Sequence, residues 1–383
     1  MTIFDIKIQE TFNALQELAK QGDLQAQYNL GVAYAKGQGV LQDYTQTKLW
    51  FEKAADKGHI AAQNNLAFIY AKGLGVLQDD TKAAFWYQKA AEQGDIEAQS
   101  NLGVMYENGR GVLQDIKQAV IWYKKAAEQG YAKAQYNYGN MYVEGLVVLQ
   151  DDKQAAYWFQ KAAEQGHALA QYNLGIMYAN GQGVLKDYKQ AVIWHQKAAE
   201  QGYVESQNNL GVMYDNGQGV LQDYNQAVYW YQKAAEQGYA LAQKNLAQMY
   251  GKGLGVSKDD KQAVYWWKKA AEQGQVNAQS MLGAMYAGGQ GVLQDDKQAV
   301  YWYQKAAVQG YASAQNNLAL MYATGQGVLQ DYVKAHMWAN IAASNGFSAE
   351  VRDMISKKMT STQITTAQEM AKKCLTSNYN HCE

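Results

Sequence analysis

The residues best placed to do chemistry are amides. Asparagine occurs as Asn29, Asn65, Asn101, Asn137, Asn173, Asn209, Asn245 and Asn317, each 36 residues or a multiple of 36 from the next. An Asn side chain donates from its NH2 and accepts at its carbonyl, so it can pair with a peptide backbone without reading its sequence. The position just before this column changes freely: Tyr28, Tyr136 and Tyr172 alternate with Asn64, Asn208, Ser100, Ser280 and Lys244. A fixed amide between changing contacts suits recognition of a peptide. The same column could also bond a neighbouring helix inside its own fold, and both roles remain open.

Other chemistry has less to build on. The five histidines, His59, His167, His195, His336 and His381, form no HExxH and no close pair at ligand spacing, so no metal ion or other cofactor is expected. The recurring Gly-x-Gly, as in Gly109-Arg110-Gly111, has no third glycine and follows no strand pattern. It fails the dinucleotide test and reads as turn punctuation. Recurrent Trp and Tyr are expected to form core rather than a ligand cage. No catalytic residue is assigned.

Charge and hydropathy narrow the partners. Lys plus Arg number 34 against 35 Asp plus Glu, a net charge of -1, so no basic field exists to hold nucleic acid or an anionic bilayer. No run of about 18 apolar residues occurs, and membrane insertion is not expected. The opening Met1-Thr2-Ile3-Phe4-Asp5-Ile6-Lys7 has neither the basic nor the apolar region of an export signal. At about 150 residues per domain, 383 residues would suggest two or three globular domains.

The elements that must position the amides give a different count. Trp recurs at Trp50, Trp86, Trp122, Trp158, Trp194, Trp230, Trp266, Trp302 and Trp338, always 36 apart. With Asp23 as position 1, nine units of 36 residues run from Asp23 to Gly346 without insertion or deletion. Positions 4, 8, 11, 12 and 15, for example Ala98, Leu102, Met105, Tyr106 and Gly109, share one face of a first helix, helix A. Position 21 is Asp in all nine units, from Asp43 to Asp331, with Gln or Lys three residues later. That pattern resembles a capping box opening a second helix, helix B, which buries residues such as Ala119, Trp122 and Ala126. One such hairpin cannot bury its apolar face alone, so neighbours must stack. The Asn column, position 7, falls beside the core face of helix A.

This pattern of Tyr at position 12, a G-x-G-V turn, Asp before helix B and then A-x-x-W-x-x-K-A-A-x-x-G resembles the Sel-one-like repeat family, a relative of the tetratricopeptide repeats. The resemblance implies an all-α, right-handed α/α superhelical solenoid of nine repeats in one domain, residues 23–346. Residues 1–22, with a lone helix B over Leu15 to Gly22, and residues 347–383, with a helix over Met359 to Ala371, would cap its ends. It also implies a non-catalytic scaffold or adaptor that binds a protein or peptide along its concave helix A surface, expected as a monomer. A second reading is a cell-envelope protein acting on β-lactams or peptidoglycan, like the helical cysteine-rich relatives. Against it, no Ser here is followed three residues later by Lys, and the two Cys per repeat of that group are missing.

Departures from the pattern are few. Repeat 4 has Val147 for the second turn Gly and Tyr138 for Leu, repeat 8 has Met281 for Asn, and repeat 9 has Ile341 for the helix B Lys. Val147 disfavours the positive φ open to Gly, so an altered turn is expected there. Cys374 and Cys382 enclose a short polar loop. Terminal pairs of this kind resemble those of exported members, so they are either a disulfide in an exported chain or two free thiols in a cytoplasmic one.

Overall fold

A computed structural model of the chain describes residues 3–145, 149–380 and 382, with side chains from residue 11 onward. Among these there are 21 α-helices and no strand. Val147, where an altered turn is expected, and His381 lie outside the described residues. Each repeat is a helix A of 13 residues, such as Ile96–Asn108 in repeat 3, paired with a helix B such as Ile116–Glu128. The fold is therefore an all-α solenoid of helix hairpins, and its helices divide into two compact units, Met1–Lys197 and Ala198–Glu383.

Local chemistry sets the helix ends. All nine position-21 aspartates accept hydrogen bonds from first-turn backbone N–H groups, as Asp115 does from Gln118 at 3.1 Å and Asp187 from Lys189 at 2.8 Å. The reciprocal half of a capping box does not form. Each Asp N–H is already taken by the carbonyl of the Tyr at position 12, as in Asp115 to Tyr106 at 2.9 Å, so the third-residue Gln has no N–H to reach. Helix A ends on a left-handed glycine such as Gly109, φ 66°. The second turn glycine answers to a neighbour: a Cβ on Gly111 would collide with the backbone of Asp80 in the preceding repeat.

In the first unit, Leu66, Leu102 and Leu174 are fully buried with helix B alanines such as Ala90 and Ala162. In the second, Leu246, Leu282 and Leu318 hold the same place. In repeats 1 to 8 position 29 of helix B presents a ring to position 9 of helix A, where Gly103 meets Tyr123 and Gly175 meets His195 so closely that a Cβ would come within 2.8 Å.

The ends depart from the expected extents. The first helix spans Ile3–Lys20 rather than starting at Leu15, and its buried Phe12 and Ala19 stand in for a helix B. Two helices close the second unit, Glu350–Ser356 and Ser361–Thr376. They lie on helix B of repeat 9 (Tyr332–Ser344), burying Met337 and Ile341 where earlier repeats leave a half-exposed large apolar residue and a lysine. That cover explains why repeat 9 carries Ile341. Cys374 and Cys382 are joined by a disulfide, with Cα atoms 4.6 Å apart.

Candidate peptide-binding groove

The buried amide ladder of this protein is glutamine, not asparagine. Position 5 is a buried Gln in every repeat, and each donates from Nε2 to the carbonyl of position 33 one helix earlier, as Gln63 does to Ala55 at 3.0 Å and Gln99 to Ala91 at 3.1 Å. Its Oε1 accepts from the amide at position 35 of its own repeat, as from Gln93 to Gln63 at 2.6 Å. Gln129, Gln165, Gln237, Gln273 and Gln309 do the same at 2.7–2.8 Å, and Asn345 replaces Gln in repeat 9 at 2.9 Å. Repeat 1 breaks the ladder. It has Lys57 at position 35, whose Nζ turns to the Gly22 carbonyl, and Gln27 Oε1 is left buried without a partner.

With the core join assigned to Gln, the Asn column lies at its flank. Asn29 is exposed, and Asn65, Asn101, Asn137, Asn173, Asn209, Asn245 and Asn317 are half-buried. Their partners differ from repeat to repeat. Asn29 accepts from Gln25 at 2.9 Å, Asn65 donates to the Tyr28 hydroxyl at 3.4 Å, and Asn245 donates to Asn208 at 3.1 Å. Asn137 and Asn317 lie beside the hydroxyls of Tyr123 and Tyr303. No side-chain hydrogen bond is found for Asn101, Asn173 or Asn209 among the described residues.

The tyrosines next to the column are partly committed to stacking. Tyr28 lies between Phe51 and His59 at centroid distances of 5.7 and 4.5 Å, Tyr136 between Phe159 and His167 at 5.6 and 4.8 Å. Tyr172 meets His195 at 5.8 Å. His59 and His167 also open helix A of their repeats, each Nδ1 accepting a backbone N–H, from Ala62 at 3.2 Å and Ala170 at 3.3 Å. An imidazole must be neutral to accept, and burial holds both below the ordinary value. Burial alone lowers His195, 2% exposed beneath Gly175, to about 4. Among the described residues, no group of three or more His, Cys, Asp or Glu could hold a metal ion, and no helix is long and apolar enough to cross a membrane.

Two depressions open along the helix A side of the first unit, and each contains a column amide. One, of about 240 Å³, lies between repeats 1 and 2, with Asn65 beside Val32, Phe51 and Phe68. The next, of about 420 Å³, spans repeats 2 to 4, with Asn101 beside Phe68, Tyr87, Val104 and Tyr131. Cations rim the second, Lys72, Arg110 and Lys133, together with Glu97. A floor of apolar side chains with a few convergent polar groups is the usual constitution of a binding site.

The Sel1 repeat family model matches nine consecutive stretches, residues 24–59, 60–95, 96–131, 132–167, 168–203, 204–239, 240–275, 276–311 and 312–347. This chain belongs to the Sel1 repeat family. The matched register is one residue later than the one counted from Asp23. Among solved structures, the chain is similar to c5321, a protective antigen of uropathogenic Escherichia coli strains with an SLR fold: 34% identity over 96% of both chains, TM-score 0.57. A Sel1 repeat protein from Oxalobacter formigenes shares 35% identity over 81% of this chain and 89% of its own, TM-score 0.61. Comparison with curated proteins finds no match. Sel1 repeat solenoids are in general protein-interaction scaffolds.

Proposed function

We propose that this Sel1 repeat protein is a non-catalytic adaptor that holds an extended peptide segment of a protein partner against its helix A face. Residues 23–346 form the binding array in this reading, and residues 1–22 and 347–383 close its ends. The supporting observation is the pair of successive grooves that contain Asn65 and Asn101. Amides at a 36-residue period, half-buried and bonded irregularly or not at all by the protein itself, are suited to a backbone that runs past several repeats. A peptide held this way gains from its amides being satisfied and from apolar burial on residues such as Phe68 and Val104.

The test is selection of a displayed random 12-residue peptide library on the full chain, followed by binding of the enriched peptides to an Asn65→Ala/Asn101→Ala variant. Losing amide hydrogen bonds should weaken those peptides about tenfold or more while helicity is unchanged. Enriched peptides that bind the variant as well as the parent, or a variant that loses its fold cooperatively while binding normally, would make the column structural.

A further inference from the structure

The groove around Asn101 differs from its counterparts in a way that identifies a chemistry for its occupant. In repeat 3 the Tyr123 hydroxyl donates to the carboxylate of Glu107, with Asn137 of the next repeat beside the same oxygen. In repeat 6 Tyr231 donates to Asp215 at 3.4 Å. Both acids come from position 13 of helix A. Repeat 2 has the phenol, Tyr87, and the amide, Asn101, in the same register, but Ala71 where the acid would be. Repeat 8 also lacks the acid, having Ala287, and there Asn317 bonds the Tyr303 hydroxyl.

Tyr87 has neither solution. It is 4% exposed, it lines the groove, and its hydroxyl has no hydrogen-bond partner among the described residues. A hydroxyl that opens to the groove can donate to an acceptor bound there. The charges around it are mixed: Glu97 acts most strongly on the phenol, with Asp95 adding to it and Arg110 opposing. Lys72 and Lys133 stand exposed at the rim with no ion pair among the described residues, and Arg110 is present but paired with Asp80 at 2.9 Å. Glu97, the opposing acid in the groove, accepts from Asn64 at 3.4 Å.

We infer that this groove seats the carboxylate of an acidic side chain from the bound peptide, in the place that Glu107 fills one repeat later. The carboxylate accepts from Tyr87 Oη and Asn101 Nδ2, and Lys72 and Lys133 supply the countercharge. A Glu side chain is the committed source because the internal counterpart is one. This rests on the peptide-binding reading above and adds the residue class read at one subsite.

The probes are two fluorescein-labelled, C-terminally amidated decapeptide pools, with Glu or Gln fixed at position 6 and the other positions randomised, titrated by anisotropy against the full chain. The Glu pool should bind at least tenfold more tightly, since hydrogen bonds to a charged acceptor are stronger than those to a neutral amide. Ala71→Glu, which installs the internal acid on an accessible helix position, should erase that preference without lowering the melting temperature, and the surface change Lys133→Glu should reduce it. Equal binding of both pools that still depends on Asn101 overturns the carboxylate assignment and leaves backbone reading intact. A Gln pool with a free carboxyl terminus that matches the Glu pool assigns recognition to chain ends and overturns it as well. If no pool binds parent or variant, the peptide-binding reading fails together with this one.

Discussion

Changing Lys57 to Gln should stabilise the first hairpin of the array, because it completes a ladder step that the protein leaves open. Gln27 is 4% exposed and its Oε1 has no partner, whereas the equivalent oxygens of Gln63, Gln99 and Gln135 each accept from a position-35 Gln at 2.6–2.7 Å. A new hydrogen bond to a buried orphan contributes about 1 kcal/mol net. The Lys57 bond to the Gly22 carbonyl is exposed and need not be lost, since Gln273 keeps its ladder bond while donating to the corresponding Gly238 carbonyl at 2.9 Å. Hydrogen exchange followed by mass spectrometry reads this locally, which suits a repeat array that need not unfold in one step. Amides of helix A in repeat 1 (Leu24–Lys36) should exchange about fivefold more slowly, the factor that corresponds to about 1 kcal/mol. In a Gln27→Met background the same substitution should do nothing, giving a coupling energy close to the whole effect. Equal slowing in both backgrounds would show that the gain does not pass through Gln27 and would refute the ladder account.

Three further outcomes follow from the geometry. Gly111→Ala should cost at least about 2 kcal/mol in urea unfolding, because positive φ and a collision with the Asp80 backbone add, whereas Gly130→Ala, at φ 93° with open space around it, should cost about 1 kcal/mol. Stability should fall as pH drops from about 6.5 toward 4, because the unfolded chain binds protons that the buried neutral His195 refuses; its share is up to about 3 kcal/mol, and His195→Phe, the ring used by repeats 1 and 4, should remove that share. Thiol titration of the native protein should find no free thiol, and Cys374→Ser/Cys382→Ser should cost about 2.5 kcal/mol, confined to exchange in the two closing helices.

Much of this fold is legible because its determinants are local. The 36-residue period, the N-cap aspartates and the left-handed glycines act within a few residues of themselves, and the helices begin and end where those residues sit. The Gln ladder was written in the same repeating pattern, yet its partners lie 8 and 30 residues away across a helix join, where neither a helical wheel nor a turn rule reaches. Hydrophobicity alone would also misplace the Leu at position 19. Leu41, Leu77, Leu113 and five equivalents are 89–92% exposed, because the extended stretch before the N-cap Asp turns that side chain outward while its neighbour Val packs in. The capping box failed for a related reason, since the Asp N–H was claimed by a carbonyl nine residues back. At the candidate site, the Asn column and its flank were readable from period and phase. The open Tyr87 hydroxyl was not, because it depends on Ala71 being small sixteen residues earlier on another helix.

The most direct measurement of the central claim follows the side-chain amide resonances of the full chain by transverse-relaxation-optimised NMR as a library-selected peptide is added. Asn65 and Asn101 NH2 signals should shift together with those of Asn137 or Asn173 if the peptide runs on, while the buried Gln63 and Gln99 amides stay in place. Shifts confined to helix B or to the exposed leucine loops, with the Asn amides unmoved at saturation, would contradict peptide binding on the helix A face.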